Sequence, residues 1–81
     1  MKNESQYRKA IGGVLLALRT SMSEDGIKAT QEDVASQAGI STRYYGSIER
    51  GNVTPSLYTI AKIAEALQMP LSELCNQIEN Y

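Results

Sequence analysis

Residues 30–51 have the sequence TQEDVASQAGISTRYYGSIERG. Thr30 carries a hydroxyl that can cap a helix, and the two acidic residues at positions 32 and 33 suit the positive end of the helix dipole. Gly39 is typical of a helix C-terminus because it adopts a positive φ without a Cβ penalty. Ser41 can cap a second helix directly after the turn. The sequence therefore predicts two short helices with a glycine turn between them, at about residues 30–50.

The apolar side chains of this stretch predict how the two helices pack. In the first helix, the side chains expected to face the core are Val34, Ala35 and Ala38. Ala35 is small enough to let two steeply crossed helices approach closely. In the second helix, at about 100° per residue, Tyr44 and Tyr45 fall about 40° and 60° to either side of Ile48. We expect these three side chains to face the core, and we expect the apolar side chain of Ile40, directly after the turn, to pack against them.

The opposite face of the second helix is polar. Arg43, Gly46 and Arg50 lie on it by the same arithmetic, and Thr42 and Ser47 flank them. Gly46 is either a gap that lets the helix lie deep in a groove or a glycine that is merely tolerated, at about 1 kcal/mol relative to alanine. Two crossed short helices with such an outward face are typical of a helix-turn-helix DNA reader.

The chain resembles the lambda-repressor and Cro type of helix-turn-helix regulators, often called the XRE family, from about Ile11 to Leu74. The matching positions in the N-terminal helix and in the two helices that follow it are Ile11, Gly12, Leu15, Leu18, Arg19, Gln31, Val34, Ala35, Gly39, Ser41, Tyr44, Tyr45, Ile48, Glu49, Arg50 and Gly51. They continue with Pro55, Leu57, Ile60, Ala61, Ile63, Ala64, Leu67 and Leu74. So many positions in register make the resemblance specific. It implies an all-α, five-helix lambda-repressor-like DNA-binding domain with a central helix-turn-helix.

The resemblance also suggests a role for two charged residues. In the family, an arginine and a glutamate at the positions of Arg19 and Glu49 form a buried ion pair, so we expect both to be structural. The alternative is that both are solvated surface charges, although Glu49 lies on the flank of its helix that turns back towards the first helix of the chain. Tyr44 has two interpretations as well: it is either part of the core, or its polar tip reaches a phosphate from the edge of the core.

A DNA-binding function sorts the polar residues by role. Bases are expected to be read in the major groove by the first turns of the second helix, through Thr42, Arg43 and Ser47. We call this second helix the reading helix. Phosphates are expected to be bound at helix starts and beside the reading helix, by Lys28, Gln31, Tyr44, Arg50, Asn52 and Thr54.

The N-terminal part of the chain predicts a long helix from about Ser5 to Ser23, with Ile11, Leu15 and Leu18 as its buried stripe. Val14 and Leu16 broaden that stripe. They are either covered by the N-terminal residues and the following loop, or they contact a partner. Residues 20–29 form a longer connection than is usual in the family, and we expect an exposed loop or an extended first helix there.

Two further helices are expected after the reading helix. Thr54 followed by Pro55 reads as an N-cap and a first helical residue, which predicts a helix over residues 55–67. Its inward residues are expected to be Leu57, Ile60, Ala61, Ala64 and Leu67. Pro70 then breaks the chain before a last helix at about residues 71–79, which has an apolar stripe.

The stripe of the last helix consists of Leu71, Leu74, Cys75 and Ile78. The preceding helices need only part of this stripe, so it is expected to form the interface of a homodimer. A dimer would read a palindromic operator, one half-site per chain. Cys75 reads as a small apolar filler rather than a reactive thiol, since no basic neighbour on its turn would lower its pKa.

Composition limits the alternatives. The 81 residues are 42% apolar, enough for one small domain over residues 1–81. The net charge of -1 does not support nucleic-acid binding, but the field that matters is local, within a Debye length of about 10 Å. One cysteine and no histidine exclude an intrachain disulfide and an ordinary zinc site, and they leave no usual general base. We therefore expect no enzyme, no metal, no cofactor and no small-molecule ligand.

No apolar run suits a membrane span or a signal peptide, so we expect a cytoplasmic protein. The sequence thus favours a small stand-alone regulator that binds double-stranded DNA as a homodimer. The alternative from another class is a protein-interaction module, such as the antitoxin of a toxin-antitoxin pair, with Val14 and Leu16 as its contact.

Overall fold

The computed structural model describes residues 1–24 and 26–81, and its description of side chains leaves out residues 23, 24, 27 and 28. The elements of this described part are α1 (Glu4–Ser21), β1 (Ser23–Glu24), β2 (Ile27–Lys28), α2 (Gln31–Ala38), α3 (Thr42–Glu49), α4 (Leu57–Ala66) and α5 (Leu71–Glu79). The prediction of an all-α, five-helix domain is confirmed. None of the described helices is long and apolar enough to cross a membrane.

The first helix begins one residue before the predicted start because Asn3 caps it. The Asn3 side chain accepts from the backbone amide of Gln6 at 2.9 Å, and the Gln6 side chain accepts from the amide of Asn3 at 2.8 Å. Of the two residues that broadened its apolar stripe, Val14 is buried and Leu16 is 45% exposed. Val14 is thus part of the core, and only Leu16 has surface to offer a partner.

The connection between α1 and α2 contains a short hairpin. The helix ends at Ser21, two residues before the predicted end, and β1 then pairs with β2 in antiparallel register. Gly26 has a φ of 80°, as a tight turn between strands often requires. The connection is therefore not an extension of α1, and its backbone pairing is a detail that its polar composition did not predict.

The helix-turn-helix forms as its capping residues predict. The Thr30 hydroxyl accepts from the amide of Asp33 at 3.0 Å, Gly39 has a φ of 75°, and the Ser41 hydroxyl accepts from the amide of Tyr44 at 3.0 Å. The predicted inward residues that are buried are Val34, Ala35, Ala38, Tyr45 and Ile48. Tyr44 and Ile40 are partly buried and pack against them.

One close approach fixes α1 against the end of α3. Gly12 is buried on α1, and a Cβ atom placed on it would lie 2.8 Å from the carbonyl oxygen of Ile48 and closer still to that of Glu49. The two backbones are therefore in direct contact, which only glycine permits at this position. This contact determines where the last turn of the reading helix lies relative to α1.

The start of α4 differs from the prediction. Its N-cap is Ser56, whose hydroxyl accepts from the amide of Thr59 at 3.1 Å, so Thr54 and Pro55 lie outside the helix. The prediction that Leu57 faces inward is wrong, because at the first turn of this later start its side chain is 69% exposed. Ile63 is fully buried instead, beside Ile60 and the other expected residues of the same face.

Most of the apolar stripe of the last helix, α5, is buried in the core of its own chain. Leu74 is fully buried and Ile78 is 7% exposed, because α5 packs against both α1 and α4. These two side chains therefore have little surface left for the predicted dimer interface, which itself stays a prediction. Leu71 is partly buried and packs against the same core, whereas Cys75 is exposed and so does not fill space in it.

Candidate nucleic-acid interface

The outward face of α3 presents polar side chains from its first turn onward. Thr42 and Arg43 are exposed at the start of the helix, and Ser47 is partly exposed one turn later. The Ser47 hydroxyl donates to the carbonyl oxygen of Arg43 at 3.2 Å, which holds this hydroxyl against its own helix. The three residues predicted to contact bases therefore lie on one exposed helical face.

Arg50, at the C-cap of α3, extends this polar face. Its Nη2 donates to the Oγ of Ser47 at 3.3 Å. A Cβ atom placed on Gly46 would lie 3.0 Å from Nη1 of Arg50 and 3.3 Å from Oε1 of Gln31. Gly46 is therefore buried beneath these two side chains, rather than forming the open gap that one interpretation of the sequence suggested.

A buried ion pair supports the far end of the reading helix. Arg19 donates from Nε to Oε2 of Glu49 at 2.7 Å and from Nη2 to Oε1 at 3.0 Å, and its Nη1 donates to the carbonyl oxygen of Ala29 at 3.1 Å. The side chains of Arg19 and Glu49 are only 13% and 4% exposed. The arrangement is a bidentate pair between α1 and α3, shielded from water.

Gln31 joins this pair to the start of α2. Its Nε2 donates to Oε1 of Glu49 at 2.9 Å, so Glu49 accepts hydrogen bonds from two side chains of two different helices. Burial alone would raise the pKa of Glu49, but the hydrogen bonds from Arg19 and Gln31 outweigh burial and lower it. Glu49 is therefore the charged hub at which α1, α2 and α3 meet.

The hydroxyl of Tyr45 belongs to the same buried group. It lies near Glu49 and Arg19 but, among the described residues, it has no partner in hydrogen-bond geometry. Burial of the phenol raises its pKa, so it stays protonated. Its ring is fully buried in the core, which leaves Tyr45 a structural residue beneath the reading face.

The residues predicted to contact phosphates differ in exposure and in whether their side chains already form hydrogen bonds within the chain. Asn52 is exposed, and Tyr44 is half-buried against the core. Gln31 uses its amide nitrogen for Glu49. Lys28 belongs to β2, and its side chain lies outside the described part of the structure.

A sequence model of the helix-turn-helix family matches residues 28–74, which include α2, α3 and α4. The chain belongs to this family. The family resemblance read from the sequence is thereby confirmed.

Three relatives of this helix-turn-helix chain illustrate the match. An uncharacterized HTH-type transcriptional regulator, y4dJ of Sinorhizobium fredii, is 37% identical over 67 residues, which are 83% of this chain and 80% of the relative. The control protein C.MunI of Mycoplasma is 42% identical over 50 residues, or 62% of this chain and 68% of that protein. The crystal structure of the restriction-modification controller protein C.AhdI of Aeromonas hydrophila superposes with a TM-score of 0.71 at 36% identity, covering 83% of this chain and 94% of that one.

One cluster of hydrogen-bonded side chains in this helix-turn-helix chain was not predicted from the sequence. Arg8 donates from Nε to Oγ1 of Thr54 at 2.6 Å, Thr54 donates to Oε2 of Glu4 at 2.7 Å, and Arg8 and Glu4 form an ion pair at 3.2 Å. The spacing of four residues between Glu4 and Arg8 was a detectable signal for their pairing. Their contact with Thr54, which ties α1 to the segment before α4, depends on tertiary structure and had no sequence signal.

Proposed function

We propose that this protein binds a specific sequence of double-stranded DNA as a dimer, with α3 in the major groove, and regulates transcription by occupying an operator. The observation that carries the proposal is the single exposed face of α3 that presents Thr42, Arg43 and Ser47. The major groove admits an α-helix, and the exposed side chains of Thr42 and Arg43 supply hydrogen-bonding groups that can distinguish base edges.

The reading helix also has the rigid support that base recognition requires. Ser41 caps its first turn, Gly12 contacts its last turn, and Arg19 holds Glu49 from α1. A side chain discriminates bases only if its backbone is held to within about 0.5 Å of the productive position. The buried ion pair thus supports DNA recognition without itself contacting DNA.

The local charge of this face favours DNA more than the net charge of -1 does. Three basic residues outside α3 form ion pairs with carboxylates: Arg8, Arg19 and Lys62. Within the described residues, by contrast, Arg43 and Arg50 form no ion pair with a carboxylate. Because exposed charges separated by more than a Debye length of about 10 Å are largely screened, the net charge of the chain says little about the field beside these two arginines.

We place the dimer contact at the start of α4. Leu57 and Tyr58 are 69% and 73% exposed there, whereas Leu74 and Ile78 are buried in their own chain. Adjacent exposed large apolar side chains mark interaction surfaces, and a two-fold contact uses the same patch twice. α4 follows α3 in the chain, so a two-fold contact at its start would place one reading helix on each side of the axis, as a palindromic site requires.

The test is selection from a pool of duplexes of random sequence with the purified protein. We expect enrichment of one palindromic site by the wild type, and loss of that enrichment when Thr42 and Arg43 are both replaced by alanine. Lys62→Ala is the matched control, because it removes a basic residue from α4 while leaving the reading face intact.

Failure of the wild-type protein to enrich any site would contradict the proposal and favour a protein-interaction module. A second arm addresses that outcome directly. The antitoxin alternative depended on Val14 and Leu16, of which only Leu16 is exposed. Leu16→Glu should therefore leave the selected DNA site unchanged if DNA is the partner.

A further inference from the structure

The guanidinium of Arg50 does not lie at the end of the helix that carries it. Arg50 is the C-cap of α3, yet its Nη2 reaches back to the hydroxyl of Ser47 at 3.3 Å. Side chains on a helix lean toward its N-terminus, so a long side chain at the C-cap covers the turn before it. The positive charge of Arg50 is thus carried back to the middle of the outward face.

Gly46 provides the space for this arrangement. A Cβ atom on Gly46 would lie 3.0 Å from Nη1 of Arg50, a tighter contact than most Cβ atoms make, and 3.8 Å from Cζ, which is an ordinary contact distance. A Cβ atom at this position would require the Arg50 guanidinium to shift by a few tenths of an ångström, and a longer side chain would compete with it for the same space. Glycine inside a helix lowers stability by about 1 kcal/mol relative to alanine. At position 46 it leaves the space that the Arg50 guanidinium occupies.

Gln31 borders the same space from the other side. Its Oε1 would lie 3.3 Å from the Cβ on Gly46, and its Nε2 is held by Glu49 at 2.9 Å. Because Glu49 is bound by Arg19, the carboxamide of Gln31 is fixed by the buried ion pair. Gly46, Ser47 and Gln31 together form what we term the Arg50 slot.

We propose that Arg50 is a base-reading residue, directed by the slot toward a guanine in the major groove, rather than a phosphate contact. The inference rests on the proposed DNA-binding function. A guanidinium is a planar fork that matches the O6 and N7 acceptors of guanine, and phosphates flank a groove whereas base edges form its floor. A group held at the centre of the reading face therefore points at base edges.

The slot also explains why a long side chain is useful at this position. Ordering an arginine on binding costs conformational freedom, and a side chain already restrained in the free protein loses less of it. Ser47, which we predicted to read a base, has its hydroxyl engaged by the carbonyl of Arg43 and by Arg50. Its role in this account is to position Arg50.

The experiment first selects the site preferred by the wild type from random duplexes, then measures competition by every single base-pair substitution of that site. We expect Arg50→Ala to lose about 5- to 150-fold of discrimination at one base pair per half-site. Arg50→Lys should lose nearly as much at the same base pair, because lysine retains the charge but not the fork. Arg43→Ala serves as the matched control and should affect a different base pair.

Gly46→Ala tests the slot itself. It should relax the same base pair as Arg50→Ala, and in an Arg50→Ala background it should change discrimination less than about twofold, since coupled residues are non-additive. If Gly46→Ala does not fold, the two variants of the exposed Arg50 decide the matter alone.

Two outcomes overturn the inference while leaving DNA binding in place. The first is that Arg50→Ala weakens the selected site and random duplex by the same factor, which is the behaviour of a phosphate contact. The second is that Arg50→Lys keeps the full preference at every base pair. A wild-type protein that selects no site overturns the proposed function itself, and this inference with it.

Discussion

The guanidinium of Arg19 on α1 binds both carboxylate oxygens of Glu49 on α3, at 2.7 and 3.0 Å. The side chain of Glu49 is only 4% exposed, so this pair has been taken out of water. Breaking such a pair by removing one partner leaves an uncompensated buried charge, which costs more than the intact pair contributes. The relationship links the first helix to the reading helix and makes Glu49 the residue on which their geometry depends.

Replacing Glu49 by alanine should lower the free energy of unfolding by about 3 to 5 kcal/mol, because Arg19 would remain buried without its partner. Thermal unfolding without DNA measures this loss. Glu65→Ala is the matched control, since Glu65 pairs with Lys62 on the surface and should cost only about 0 to 1 kcal/mol. Equal melting temperatures for the two variants would contradict a buried role for the Arg19–Glu49 pair.

Stability should fall in acid. Although burial of Glu49 opposes it, hydrogen bonds from Arg19 and Gln31 lower the pKa of Glu49 below its ordinary value of 4.5. Hydrogen bonds from Thr30 lower that of Asp33 below its ordinary value of 3.8. A pKa that is lower in the folded state means that the unfolded chain takes up protons first as the pH drops. The stabilisation is therefore complete above the ordinary values and is lost as the pH falls through the folded pKa values.

Denaturant unfolding between about pH 6 and pH 3 checks this prediction. We expect a flat free energy of unfolding at the upper end and a decline below about pH 4.5. Glu49→Gln should show a shallower decline, since it removes one of the contributing carboxylates. A steeper decline in that variant would contradict the assignment of the lowered pKa to Glu49.

Gly12→Ala should be severely destabilising and should also weaken DNA binding. Its Cβ would lie 2.8 Å from the backbone carbonyl oxygen of Ile48, and backbone cannot yield as a side chain can. Overpacking of this kind typically costs about 1 to 3 kcal/mol or more. Chemical denaturation gives the stability, and affinity for the selected duplex gives the effect on the reading helix.

Gly13→Ala is the neighbouring control. The atoms nearest to its Cβ would belong to the side chain of Tyr81, which is 65% exposed and can move aside. We expect a loss below about 1 kcal/mol for this variant. A loss for Gly13→Ala as large as that for Gly12→Ala would contradict a specific backbone contact between α1 and α3 at Gly12.

The parts of the fold that the sequence predicted are those determined locally. Thr30, Gly39 and Ser41 cap or end helices through contacts with residues at most five positions away, so their roles are readable from residue type and spacing. The wrong start of α4 has the opposite cause. Thr54 and Ser56 are both capable caps, and Thr54 is instead engaged by Arg8, which lies 46 residues away in the sequence.

The candidate site shows the same division. Helical spacing placed Arg43, Gly46 and Arg50 on one outward face. It did not show that Arg50 folds back over Gly46, because a side-chain path depends on the backbone beneath it and on Ser47 beside it. Likewise, the apolar period of α5 revealed a buried face but not that Leu74 would be covered by its own chain.

Leu57→Glu should reduce dimer formation and weaken DNA binding while leaving the fold intact, because Leu57 is exposed and lies at the proposed dimer contact. Sedimentation across a range of protein concentrations measures the dimer, and circular dichroism checks the fold. Cys75→Glu places the same charge on the exposed surface of α5 and serves as the control. If Cys75→Glu dissociates the dimer and Leu57→Glu does not, the dimer contact lies on α5, as we predicted from the sequence.

The most direct test of sequence-specific DNA binding is the ratio of two dissociation constants for the wild-type protein. One is for the duplex selected from the random pool and the other is for a scrambled duplex of equal length, both at about 0.15 M salt. We predict that the selected duplex binds at least about 1,000-fold more tightly, as specific sites typically do. Equal affinity for the two duplexes would contradict the account.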